Sequence, residues 1–251
     1  MRHGTTYTSP VSSPRFGTSP LARKVARVLG TVLIVAGTLT LVWTIVVWQW
    51  QDPFTALYTH FKQERLASQY AKRVHAFRPT VNASGRPAAS ATALGNEART
   101  YRRSLVIGAA VGRLQIGRIG LNMIVVQGTD EATLKNGPGH YLTTGLPGEG
   151  RLIYIAGHRT TYLAPFSHID AIRNGDLITF EVPYGTFRYR AFRHYIVKAD
   201  DLSVLANRGR EVLRLQACHP RFFATHRYIV DARLIAVRPR GSHTFFTSGR
   251  P

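Results

Sequence analysis

The stretch Leu215 to Tyr228, LQACHPRFFATHRY, holds the only cysteine of the chain, Cys218, nine residues before Arg227. A thiol attacks an acyl carbon as its thiolate, which positive neighbours favour. Acyl transfer also needs a donor for the developing oxyanion and an acid for the leaving group. Arg227 suits the first two needs, because a guanidinium both favours a thiolate and donates to an oxyanion. The proton carrier must come from elsewhere among ten histidines. His158 stands out: Gly157-His158-Arg159-Thr160-Thr161 follows LIYIA directly, so His158 projects from a strand end in a loop opened by glycine. His219 and His226 are rivals because they flank the same loop as Cys218. His140 falls in a Gly-Pro-Gly-His turn, His168 in a predicted helix and His194 mid-strand.

Those residues are useful only if strands bring their ends together. From about Gly112 the pattern turns to short alternating runs at 113–119, 122–128, 152–157, 176–182, 186–197, 211–217 and 226–237. Seven or more strands, rich in Ile, Val, Leu, Tyr and Phe, predict a closed or nearly closed β-barrel. Cys218 then ends one strand and Arg227 begins the next. If the two are antiparallel neighbours, guanidinium and sulfur converge. Two short helices are predicted between strands, one opened by Thr129-Asp130-Glu131 and closed by Asn136-Gly137-Pro138, the other over Ala164 to Ile172. No carboxylate is placed for a Ser-His-Asp type triad, and neither zinc nor calcium ligand spacing occurs.

Upstream, Val28 to Trp48 is uncharged and long enough to cross about 30 Å of hydrocarbon as a helix. Arg23, Lys24 and Arg27 precede it and no base follows at once, which puts the N-terminus in the cytoplasm and the rest of the chain outside. The run exceeds the usual core of a signal peptide, about 7–15 residues, and no small-x-small cleavage site follows. The expected order is a cytoplasmic basic tail over 1–27, a signal anchor over 28–50, a helical segment and flexible spacer over 51–111, a catalytic barrel over 112–238 and a tail over 239–251. Outside the cell a lone cysteine has no partner in its own chain for a structural disulfide. The formal charge of +20 is almost wholly guanidinium, since only five of 33 basic residues are lysine. Such charge suits phosphate and carboxylate partners. The outward topology excludes nucleic acid.

Three segments in order, RLQIGRIGLNMIVVQGTDEATLKNGPGHY, IAGHRTTYLAPF and LRLQACHPRFFATHRYIVDARL, resemble the sortases, membrane-anchored cysteine transpeptidases of Gram-positive cell surfaces. The middle one, with Ala164-Pro165-Phe166, looks most like class E sortases of high-GC actinobacteria. The resemblance implies an eight-stranded sortase barrel with two or three short helices, preceded by one transmembrane helix. It makes Cys218 the nucleophile, His158 the general acid and base, and Arg227 the group that positions substrate and stabilises the oxyanion. The substrates implied are secreted proteins with a C-terminal LAxTG- or LPxTG-like sorting signal, cut between Thr and Gly. A cell-wall precursor amine is the acceptor, and no cofactor is needed. Tyr141 becomes a candidate for reading the second signal residue.

The sequence departs from the family just before the cysteine. Sortases usually carry Thr-Leu-x-Thr there, whereas Arg214-Leu215-Gln216-Ala217 stand here, so Ala217 marks a place of altered substrate contact. Asp52-Pro53-Phe54 is similar to the lid motif of pilin-polymerising class C sortases, but the polar C-terminal tail offers no second membrane helix. A non-catalytic basic module docking anionic wall polymer or lipid is the other alternative. Papain-like hydrolysis fits poorly, because that family places Cys before His along the chain.

Overall fold

A computed structural model describes residues 19–50, 53–78 and 87–247. Residues 1–18 of the expected tail over 1–27, Asp52 of the lid-like motif, the spacer residues 79–86 and the last four residues lie outside the described residues. The chain divides into two compact units, Met1–Gln49 and Trp50–Pro251. The first is made by α1 (Pro20–Trp50), and its span Pro20–Val46 is long and apolar enough to cross a membrane. The leucines, valines and isoleucines from Leu21 to Ile45 are exposed.

The second unit is built on β1 (Ala110–Ile116), β2 (Leu121–Gln127), β3 (Gly139–His140), β4 (Leu152–Ala156), β5 (Leu177–Val182), β6 (Gly185–Lys198), β7 (Val212–His219), β8 (His226–Pro239) and β9 (Phe246–Thr247). The sheet order is β6-β5-β1-β2-β3-β4-β7-β8-β9, and β6 also pairs with β8. Eight strands therefore close into a barrel, and β9 is added at the far end of β8, where Ala236 and Val237 meet Thr247 and Phe246. Inside, Leu114, Ile116, Ile153, Ile155, Phe180, Phe187, Leu213, Leu215 and Val230 alternate with outward residues and form the core.

Strands β3 and β9 were not expected, because two residues carry no readable alternation. The helix opened by Asp130 is present as α4 (Glu131–Leu134), with the Asp130 carboxylate accepting from Thr133 N–H at 3.0 Å. The helix expected over Ala164 to Ile172 is not. Tyr162, Leu163 and Ala164 all take positive φ, and only a 3-10 turn at Ile169–Ala171 forms. Phe166 is drawn into the core instead.

Two helices precede the barrel. In α2 (Pro53–Ala76), Leu66 and Tyr70 pack on Ala110, Ile124 and Val126. Gln63 of α2 acts on the ladder itself. β3 pairs only with Val126 and Gln127 of β2. The Gln63 carboxamide takes up Ile124 beyond that pairing, accepting from its N–H at 2.7 Å and donating to its carbonyl at 3.0 Å. Much of the stretch expected to be a flexible spacer is α3 (Pro87–Arg103). Its Ala and Ser content masks an apolar stripe, Leu94, Ala98 and Tyr101, that is buried in the barrel core cluster. The Tyr101 hydroxyl donates to the Val111 carbonyl at 2.9 Å. Replacing Tyr101 by Ala should therefore destabilise the domain by about 3–5 kcal/mol in denaturant titration, the usual range for truncating a buried aromatic. A free spacer would show no change.

Candidate active site

The nucleophile candidate and its arginine are cross-strand partners: β7 and β8 run antiparallel with Cys218 opposite Arg227. On one face of such a ladder, opposed residues lie about 4.5–5.5 Å apart at Cα. Strand β7 runs two residues further than its sequence pattern suggests, so Cys218 belongs to the ladder itself. On the other side β4 is parallel to β7, with Ala156 opposite Gln216, and the Gly157 N–H donates to the Gln216 carbonyl at 3.0 Å. Continued by two residues, that register would set His158 level with Cys218. Cys218 and Arg227 thus share one row at the barrel rim, and His158 follows two residues after Ala156, the last paired position of β4.

The same alternation sorts the rivals. His219 and His226 oppose each other one position on, so they belong to the other face of the ladder. His219 Nδ1 lies 2.9 Å from Arg159, and His226 Nδ1 lies 2.9 Å from the Thr225 hydroxyl. His140 is buried between Gln127 and the Gly145 carbonyl, both at 2.8 Å, and burial pushes its pKa down to about 4. That is a neutral structural histidine.

His158 is half-buried, and its Nε2 is buried without a hydrogen-bond partner among the described residues. Burial lowers its pKa, with Glu131 opposing and Lys135 adding to the shift. Its ring lies 5.2 Å from that of Tyr162. The glycine before it is required by close packing. A Cβ at Gly157 would sit 2.6 Å from the Phe166 ring. Cys218 is a free, half-buried thiol. The Arg227 guanidinium is braced by the β7–β8 turn, its Nη1 donating to the carbonyls of Ala224 at 2.7 Å and His226 at 3.0 Å. The bracing uses one nitrogen, and the rest of the planar fork can meet an incoming oxygen.

Arg159 was quoted with the loop but given no role by the sequence. It is 5% exposed, donates to the Cys218 carbonyl at 3.2 Å and pairs with Asp170 at 2.8 Å. It ties the loop bearing His158 to the strand bearing Cys218. The only signal for it was its place next to His158, where alternation turns it to the opposite face. Asp170 serves Arg159, and Asp231 accepts a bidentate bond from Arg214 at 2.6 and 2.7 Å. Among the described residues no group of three or more His, Cys, Asp or Glu side chains could hold a metal.

Below the row at the rim, the same outer face continues as a trough. Its next row is Ala156, Gln216, Ile229 and Tyr195, and the row after that is Tyr154, Arg214, Asp231 and Arg193. Val204 and Leu205 from the β6–β7 connection, and Leu134 and Tyr141 from the β2–β4 segment, pack over Tyr154, Ala156 and Ile229. Tyr141 meets Tyr154 edge to face at 6.0 Å, so it lies in this trough wall. Ala217 does not. It is 1% exposed and belongs to the barrel core, on the face of β7 opposite Cys218.

A family model described as a sortase domain matches residues 114–235. That stretch is similar to a sortase domain. Sortase D of Bacillus subtilis (strain 168) is 34% identical over 132 residues, 51% of this chain and 65% of that protein. The match thus spans slightly less than two thirds of that relative. The Sortase D5 transpeptidase of Clostridium perfringens superposes with a TM-score of 0.57 at 23% identity, covering 69% of this chain and 98% of that one. Sortase E1 from Streptomyces coelicolor, solved with a tripeptide in its active site, superposes with a TM-score of 0.50 at 25% identity, covering 59% and 98%. The fold is the mainly β, eight-stranded sortase barrel. The domain match and the sortase relatives support a cysteine transpeptidase.

The tight seat of Gly157 gives a direct check on how the sortase loop is held. Gly157→Ala should cost about 1–3 kcal/mol by overpacking against Phe166, read as a lower Tm by calorimetry.

Proposed function

We propose that this protein is a membrane-anchored transpeptidase that cuts an LAxTG- or LPxTG-like sorting signal between Thr and Gly and passes the Thr acyl group to a cell-wall amine. The observation that carries this reading is the pairing of Cys218 with Arg227 at the head of an apolar trough, with the loop that bears His158 tied to the Cys218 carbonyl through Arg159. Cys218 Sγ attacks the Thr carbonyl carbon, and the thiol proton moves to His158. The Arg227 fork donates to the oxyanion. As the C–N bond breaks, His158 gives its proton to the departing Gly amine, leaving a thioester on Cys218. An acceptor amine then attacks the thioester, its proton passes to His158, and the thiolate leaves and is reprotonated.

The environment of His158 suits the first step. An imidazole whose pKa is lowered by burial, with an unpartnered Nε2, is a neutral base at pH 7. The sign for pH dependence follows: protonating His158 in the free enzyme removes the base, so kcat/KM should fall as pH drops through a pKa below the ordinary 6.5. A pH–rate profile with its acid limb above 6.5 would contradict this role.

Support for anchoring is α1, whose apolar span follows Arg23, Lys24 and Arg27. The positive-inside rule then places the barrel outside the cell. The partners are secreted proteins bearing the signal. The middle motif favours class E, while relatives of class D also match, so the proline-for-alanine choice is tested with both peptides. Wild type should form a mass-detectable thioester with LAxTG or LPxTG peptides, and Cys218→Ala should form none. An unreactive thiol in a folded wild type would overturn the reading.

A further inference from the structure

The trough does not end at Tyr154. On the same face, beyond the row of Arg214 and Asp231, lies a small cavity lined by Phe192, Arg193, Arg208, Arg210, Val212 and Arg214, with Asp231 at its edge. Asp231 is already engaged by the Arg214 fork. Arg193, Arg208 and Arg210 are exposed and form no ion pair among the described residues. Arg193 stacks on the Tyr195 ring, 4.4 Å from its centroid, which holds its guanidinium over the trough. The Arg214 guanidinium also lies over that ring, 5.7 Å from its centroid.

The spacing relates this cavity to the nucleophile. Along β7 the step from Cys218 to Arg214 is four residues, about 13 Å at the rise of a strand, and to Val212 it is about 20 Å. The acyl half of a substrate stays bound through the thioester while the leaving half departs, so the acyl half occupies the walled trough. The exposed β7–β8 turn faces the leaving group and the incoming amine. An extended peptide with its scissile Thr at Cys218 has its signal Leu three residues back, about 10 Å away. The one to three residues before that Leu then reach the arginines.

Resting on the transpeptidase reading, we propose that Arg193, Arg208 and Arg210 select sorting signals preceded at one to three positions by Asp or Glu. Here a carboxylate would meet unpaired guanidiniums at the floor of a trough that already fixes the peptide's register.

The test uses the full chain in detergent with LAxTG and LPxTG peptides whose three preceding residues are Asp/Glu, Asn/Gln or Lys. The readout is kcat/KM for thioester formation. Acidic flanks should exceed neutral ones by about tenfold and lysine flanks by more, with the gap closing at about 0.5 M salt. Arg208→Glu with Arg210→Glu, both on exposed side chains, should invert the order while leaving thioester formation on neutral-flank peptides intact. Equal kcat/KM for all flanks, with turnover intact, overturns the proposal alone. No thioester with any peptide overturns the transpeptidase reading and this one with it. If flanks have no effect while the double variant loses salt-sensitive binding to polyglycerol phosphate, the arginines serve a polymer and the proposal fails.

Discussion

Everything at the rim depends on the registers of β4, β7 and β8. Antiparallel pairing of β7 with β8 sets Cys218 opposite Arg227, and parallel pairing of β4 with β7 brings Gly157, the neighbour of His158, to the Gln216 carbonyl, although 69 positions separate residue 158 from residue 227. A slip of one residue in either ladder would turn Cys218 or Arg227 to the other face. The protein fixes these registers from both sides of the sheet. The core holds them through Ile153, Ile155, Leu213, Leu215 and Val230. At the rim Arg159 bonds the strand carbonyl of Cys218 and the carboxylate of Asp170. At the base Glu211 accepts from Gly148 N–H, Gly150 N–H and the Tyr189 hydroxyl. That buried carboxyl, its pKa raised by burial, pins the start of β7 to the turn that leads into β4.

The departure at Arg214-Leu215-Gln216-Ala217 reads differently in three dimensions. Gln216 faces the trough, accepts from the Tyr154 hydroxyl and sits between Ala156 and Ile229. Arg214 shares that face and, with Asp231, forms a neutral bidentate pair with side chains only 11% and 4% exposed. Breaking one member of such a pair strands the other. Ala217 points into the core, so its effect on substrate would act through strand packing rather than contact.

The sequence made the strong features readable because they are periodic or long. The apolar runs of α1 and β4 and the alternation of β5, β6 and β8 belong to that class. Cys218 and Arg227 followed from being at facing strand ends. The weak features have no period to read: β3 and β9 are two residues long, and Arg159 gains its meaning only from what lies across the barrel rim. In α3, helix propensity from Ala is easily taken for the flexibility of a spacer, since Leu94, Ala98 and Tyr101 make a stripe only three residues long. The loop after His158 misled in the opposite sense. Its Ala164 to Ile172 composition suits a helix, yet burial of Phe166 against Gly157 sets a left-handed path that no local preference reveals.

Gln63 has a consequence for where the domain starts. By standing in for a neighbouring strand at Ile124, this one side chain seals a gap in the hydrogen-bonded wall that β3 is too short to cover. A barrel cut free at Gly112 would keep Cys218 opposite Arg227 but lose that seal. It would present unpaired ladder groups, flanked by the apolar surface of Ile124 and Val126, to any other chain in solution. The helices before the barrel thus cover ladder groups that the strands leave open.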